Sequence, residues 1–163
     1  MIRIFDIRER PDLQKAAVDY FWQRWGSDSN RNFYRDCIER SCDTQCDVPR
    51  FYLALEDDQI IGAYALLRSD LNSRQDLFPW FACLFVEPEH RGKRIGALLQ
   101  DHAIDQARQK GYERLYLCTD LTHYYEKTNW SYIGKGYSIS DDETRIYEYK
   151  VEVPSDDTYS DGK

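Results

Sequence analysis

Apolar positions along the chain change period several times, and each change marks a new element. Ile2, Ile4, Phe5 and Ile7 make a short first strand. Pro11 and Asp12 open a helix over residues 11–25, in which Leu13, Ala16, Ala17, Tyr20, Phe21 and Trp25 recur near helical spacing. The run Gly26-Ser27-Asp28-Ser29-Asn30 breaks it. A second helix over 31–41 then carries Phe33, Tyr34, Cys37 and Ile38 on one side. Apolar runs at 51–55 and 60–67 flank Glu56-Asp57-Asp58-Gln59 and read as an antiparallel hairpin. A polar, turn-rich loop over 70–79 leads to a nearly all-apolar strand, 80–86, which reads as central in a sheet.

A third helix starts near Ile95 and runs to Lys110, with Ile95, Leu98, Leu99, His102, Ala103 and Ala107 inward and Gly111 as its C-terminal cap. Residues 115–119 form a further apolar strand. It is expected parallel to its predecessor, because the helix between them has crossover length. A short helix over 122–128 and two strands, 131–139 and 144–153, complete the pattern. The order is β-α-α-β-β-β-α-β-α-β-β. It describes one α/β (α+β) domain over 1–153, a central mixed sheet of about seven strands flanked by about four helices. The polar segment 154–163 is expected to be a disordered tail.

Composition narrows the partners more than the fold. The 163 residues suffice for one domain with a real core. With 29 acidic against 22 basic side chains, the net charge of −7 argues against a nucleic-acid partner and suits a cationic one. No apolar run reaches the roughly 20 residues of a membrane helix. The opening Met-Ile-Arg-Ile-Phe-Asp reads as a strand rather than a signal peptide. Five cysteines without framework spacing fit a reducing, cytoplasmic setting. Cys37, Cys42 and Cys46 cluster with no histidine nearby, so no metal site is expected; Cys83 and Cys118 fall inside strands as small core residues.

The chemistry concentrates at the end of the fourth strand. There an apolar run passes into Glu87-Pro88-Glu89-His90-Arg91-Gly92-Lys93-Arg94-Ile95-Gly96-Ala97, and a helix opens directly. Such a junction points unpaired backbone N–H groups and the positive end of a helix dipole at one place. Gly92 and Gly96 remove side chains where an anion would approach. Arg91, Lys93 and Arg94 put three cations at a helix start, where cations are otherwise mildly unfavourable. The residues point to a site for a phosphate or pyrophosphate.

This element order, with Arg91-Gly92-Lys93-Arg94-Ile95-Gly96 and, after the fifth strand, Tyr124-Tyr125-Glu126-Lys127-Thr128-Asn129-Trp130, resembles the GNAT superfamily of N-acetyltransferases. The resemblance implies acetyl-CoA as co-substrate, with no metal. It implies that the N–H groups of Gly92, Lys93, Arg94, Ile95, Gly96 and Ala97, with Arg91, hold the pyrophosphate. Leu84, Phe85 and Val86 would offer main-chain groups to the pantetheine amides, as a missing neighbouring strand would. That requires the fourth and fifth strands to splay apart at a bulge in the fourth. Two positions depart from the family pattern. Arg94 stands in place of a glycine and is expected in helical conformation, since a left-handed one would strain it by about 1–2 kcal/mol. Asn129 replaces another glycine and tolerates the left-handed region.

The reaction so implied is attack of a neutral amine on a thioester, with a thiolate leaving. An ordinary alkylamine is neutral in only about one part in several thousand at pH 7, a penalty of roughly 4–5 kcal/mol. A base, a depressed amine pKa or a water chain must offset it. The fourth strand, Trp80-Phe81-Ala82-Cys83-Leu84, holds no carboxylate, leaving Asp70, Asp76, Asp120 and Glu126 as candidates. Tyr125 matches the family tyrosine that serves the leaving sulfur and is the catalytic candidate, with Tyr124 as rival for the same place. The acceptor is a small-molecule or peptide amine; Tyr20, Trp22, Trp25, Phe33 and Tyr34 point to a cationic or partly apolar one. A homodimer is compatible with the resemblance. The alternative is a non-catalytic acyl-CoA binding or sensing module.

Overall fold

The apolar runs of the sequence meet in one sheet. The computed structural model describes residues 1–152, so the tail expected over 154–163 lies outside the described residues. The strands β1 (Ile2–Asp6), β2 (Arg50–Glu56), β3 (Gln59–Leu67), β4 (Trp80–Val86), β5 (Arg114–Thr119), β6 (Ser131–Tyr137) and β7 (Glu143–Lys150) lie in the order β1-β2-β3-β4-β5-β7-β6. Every neighbouring pair is antiparallel except β4 and β5. The helix α3 (Ile95–Gln109) supplies the crossover that this parallel pair requires. The β2–β3 connection is a tight turn with Asp57 and Asp58 both at positive φ, the conformation whose twist matches a hairpin.

Alternation along β2 sorts the core onto two faces. Phe51, Leu53 and Leu55 pack with Ala17, Val18, Phe21 and Ile38 of the helices α1 (Gln14–Trp25) and α2 (Arg31–Asp43). Tyr52 and Ala54 face the other way, against Leu99, Ala103 and Ala107 of α3. Tyr52 and Tyr64 stack at 4.5 Å, and the Tyr64 hydroxyl shares a hydrogen bond of 2.6 Å with His102 Nδ1. Burial there lowers the His102 pKa, with Lys110 helping and Asp105 opposing.

Two expectations are corrected. Residues 122–128 are not a fourth α-helix: His123 sits at φ 59 and interrupts the run, leaving a 3₁₀ turn over Tyr125–Thr128 that Asn129 ends at φ 70. The structure thus has three α-helices, and α1 is preceded by a 3₁₀ turn at Pro11–Leu13. Arg94 is not helical either. It caps α3 in the left-handed region at φ 63, ψ 19, so the one arginine that replaces a family glycine carries the strain an L-residue bears there.

What positions the site is the parting of β4 from β5. They share a single register pair, Trp80↔Tyr116, and diverge after it. On its other edge β4 stays paired with β3, but the register slips between Ala63 and Ala65, and Cys83 takes φ 55. An extra residue in one strand bends it and leaves main-chain groups unpaired. Gly62 makes this possible next door: a Cβ there would lie 2.9 Å from the Phe85 carbonyl oxygen.

Two outcomes follow from these contacts. Arg94→Gly should raise the unfolding free energy by about 1 kcal/mol in urea denaturation, by relieving the left-handed arginine. His102 binds its proton less readily folded than unfolded. Stability should therefore be full above pH 6.5, its unfolded value, and fall as the pH drops below it towards the lower folded value. His102→Gln should flatten that dependence in denaturation midpoints taken between about pH 7.5 and 5.

Candidate active site

A cleft of about 620 Å³ opens where β4 and β5 separate. Its floor is Leu84, Phe85 and Val86, and its rim runs from His90 through Arg91, Gly92 and Arg94 to Ile95, Gly96 and Ala97. The opposite wall is Leu121, Tyr124 and Tyr125. The structure therefore gathers ten of the eleven residues singled out from sequence around one space. The exception is Lys93, which is exposed and outside the cleft wall.

The rim owes its character to backbone geometry. The first main-chain bond of α3 runs from the Leu98 N–H to the Arg94 carbonyl at 3.0 Å. The N–H groups of residues 92–97 have no hydrogen-bond acceptor among the described residues. Gly92 at φ +77 and Arg94 at φ 63 give the loop the left-handed turns that set successive N–H groups to one side as an anion nest. At Gly96 a Cβ would stand 3.4 Å from the Tyr124 hydroxyl, an ordinary contact, so the glycine widens the mouth without being required there by packing. A negatively charged diphosphate fits this cradle by charge and by shape.

The cations divide. Arg91 folds back on the strand, donating from Nε to the Val86 carbonyl at 3.0 Å with its guanidinium 5.4 Å from the Phe85 ring centre. The Val86 carbonyl is thus already engaged, while Arg94 at the rim has no ion pair among the described residues. Below them, Glu87 accepts from the Tyr20 hydroxyl at 2.8 Å and pairs with Arg24, whose guanidinium lies 3.6 Å over the Tyr20 ring. This staple fixes α1 to the end of β4 and holds Phe85 between them. Burial acts to raise the Glu87 pKa, but the hydrogen bonds from Tyr20 and Arg24 outweigh it and leave the carboxyl below its usual value.

The two tyrosines separate cleanly. Tyr124 is 43% exposed and stands by Gly96 at the mouth, whereas Tyr125 is 8% exposed and packs against Trp130 and Tyr147. Burial drives the Tyr125 phenol well above its ordinary pKa, so it stays protonated at neutral pH. Its hydroxyl has no hydrogen-bond partner among the described residues, although the residue lines the cleft.

Among the carboxylate candidates, Asp76 is tied to Arg74 at 2.9 Å on the surface, and Glu126 accepts from the Tyr147 hydroxyl at 2.7 Å. Asp120 is exposed beside Cys118. Asp70 differs: its carboxylate accepts from the Leu71 N–H at 2.8 Å and from the Cys118 thiol at 3.3 Å, across the mouth of the strand gap. Cys83 and Cys118 are half-buried residues that flank that gap and pack against the core clusters on either side of it. His90 is a half-buried part of the rim with Nε2 3.5 Å from the Glu56 carboxylate. Only the tertiary proximity of the β2–β3 hairpin makes it so. Among the described residues, no three His, Cys, Asp or Glu side chains group as metal ligands, and no helix is long and apolar enough to cross a membrane.

Comparison with known proteins agrees with this geometry. Residues 11–130 match the model of the acetyltransferase (GNAT) family. The chain is 31% identical over 97 residues to an amino-acid acetyltransferase of Shewanella oneidensis, a match covering 60% of this chain and 20% of that one; the chain spans about a fifth of that relative's length. A GNAT-family acetyltransferase structure from Desulfovibrio desulfuricans superposes with TM-score 0.70 at 15% identity, covering 93% of this chain and 100% of that one. An aminoglycoside 6'-N-acetyltransferase solved with coenzyme A does so with TM-score 0.69 at 18% identity, covering 96% and 99%. The structural likenesses establish the fold, and the family match extends from the start of the first helices to Trp130, taking in the whole cleft. The chain belongs to the GNAT family of acetyltransferases.

Proposed function

We propose that this protein transfers the acetyl group of acetyl-CoA to a primary amine of a small molecule, a peptide N-terminus or a lysine, and that Tyr125 stabilises the departing thiolate. The observation that carries the reading is the cleft itself: one edge of β4 left without a partner strand, leading directly to six backbone N–H groups without acceptors. An extended chain of amides ending in a diphosphate is complementary to both parts at once. Acetyl-CoA supplies that chain together with an activated thioester.

The protein's own groups do the rest. The N–H groups of residues 92–97, with Arg94, would hold the diphosphate, each contact contributing about 0.3–1 kcal/mol and more where partly buried. Leu84 and Phe85 would hold the pantetheine arm on the free edge of β4. Tyr125, kept neutral by burial, is a hydrogen-bond donor throughout the working pH range. Full proton transfer from a phenol near 10 to a thiolate near 8.5 is uphill by about 2 kcal/mol even before burial raises the phenol. Donation of a hydrogen bond to the developing charge is therefore the role Tyr125 can fill at little cost.

Two substitutions test the two halves of the site. Gly96→Glu places a carboxylate in the first turn of α3, where it suits the helix dipole, yet it fills the cradle with negative charge. Calorimetry should show acetyl-CoA affinity reduced about ten-fold or more with thermal stability unchanged or raised. Tyr125→Phe should lower turnover by about 100-fold with acetyl-CoA affinity nearly unchanged, read from initial rates of acetylated amine against calorimetric binding. Equal turnover in this variant would remove Tyr125 from the mechanism.

A further inference from the structure

On the other side of the β4 bulge lies a second cavity, about 470 Å³, walled by Phe33, Tyr34, Phe51 and Leu67 and meeting Cys83 and Asp70 at its inner end. It adjoins the cleft through consecutive residues of one strand: Cys83 lines this cavity and Leu84 lines the cleft. Successive side chains of a strand point to opposite faces, so the two adjacent residues line different spaces.

We propose that this cavity receives the acceptor, that Asp70 holds the acceptor's ammonium group at the bulge, and that the acceptor is a primary amine carried on an aromatic or aliphatic arm. This rests on the acetyl-transfer reading above and deepens it. The walls are apolar and aromatic, with Phe33 and Tyr34 edge to face at 5.5 Å and Phe33 still 51% exposed, as befits a surface awaiting an apolar ligand. Three further charged residues line the cavity, Asp36, Arg40 and Arg68. Arg40 pairs with Asp36 at 3.4 Å, and the Arg68 guanidinium lies 5.5 Å from the Phe78 ring centre. Asp70 has no cation among the described residues; its carboxylate meets only the Leu71 N–H and the weak Cys118 thiol donor.

Its position is central. Burial first, and the Asp70 charge second, push the thiols of Cys83 on β4 and Cys118 on β5 up to about 12. The Tyr34 phenol on α2 is pushed up to about 12 mainly by burial, with Cys83, Cys37 and Asp70 adding to it. One carboxylate is therefore felt from both separated strands and from the helix that walls the cavity. The loop bearing it is clamped to the sheet edge by Ser73, whose N–H donates to the Tyr137 carbonyl at 2.8 Å and whose hydroxyl oxygen accepts from the Tyr137 N–H at 2.9 Å. An ammonium at Asp70 would gain a charge-assisted hydrogen bond where the strand gap begins. In the reaction the bound ammonium gives one proton through Asp70 to water. Its lone pair then forms the C–N bond as the C–S bond breaks, and the second proton ends on the coenzyme sulfur.

The test compares phenethylamine, hexylamine and kanamycin as acceptors, with acetylated product read by mass spectrometry and acetyl-CoA binding by calorimetry. Phenethylamine and hexylamine should exceed the polycationic kanamycin in kcat/KM by about ten-fold. Asp70→Asn should lower kcat/KM for phenethylamine roughly 30-fold, with a raised KM and unchanged acetyl-CoA affinity, and Asp70→Glu should recover part of the loss. Unaltered kcat/KM in Asp70→Asn, or a preference for kanamycin, would each overturn this inference alone; no acetylation of any of the three by a wild type that binds acetyl-CoA would overturn it together with the acetyl-transfer reading. A wild type that does not bind acetyl-CoA would overturn the acetyl-transfer reading beneath it.

Discussion

The structure turns on a pairing that stops. β4 and β5 begin as a parallel ladder at Trp80 and Tyr116 and then part, so that the centre of a seven-stranded sheet contains an unfilled wedge. Buried main-chain groups without partners are costly, and a sheet interrupted at its middle would ordinarily close. Here the bulge at Cys83 redirects β4 while its β3 side remains bonded, and Gly62 lets the two backbones come close enough to keep that bonding. The wedge is stable because everything around it is over-determined: α3 is held by the Tyr52–Tyr64–His102 stack on one face, and α1 by the Tyr20–Arg24–Glu87 staple on the other.

Both faces of the bulge inherit their chemistry from that break. Towards α3 lie the free strand edge and the N–H groups of residues 92–97, an environment made for an extended, anion-tipped ligand. Towards α2 lie aromatic walls and Asp70, whose carboxylate meets no cation among the described residues.

Much of this was legible residue by residue. The apolar run 80–86, followed by glycines and cations and then a helical period, marked an anion site without reference to any fold, and the cleft rim is built from those residues. The hairpin at Asp57-Asp58 and the cap at Gly111 fell where turn chemistry put them. The misreadings share a cause. Arg94 and His123 take left-handed conformations that their residue types do not announce, so local propensity made both helical.

By itself, then, the amino-acid order determined the elements, their succession and the glycine-bearing cationic turn that opens α3, because periodicity, turn residues and a helix N-terminus are properties of short stretches of chain. The tertiary structure alone decided where the ladder between β4 and β5 ends, which of two adjacent tyrosines is buried, and which of four scattered carboxylates stands at the bulge. Those are outcomes of packing between segments distant in sequence. Asp70 meets Cys118 only because a loop, two strands and a helix converge there, and no local pattern records that convergence.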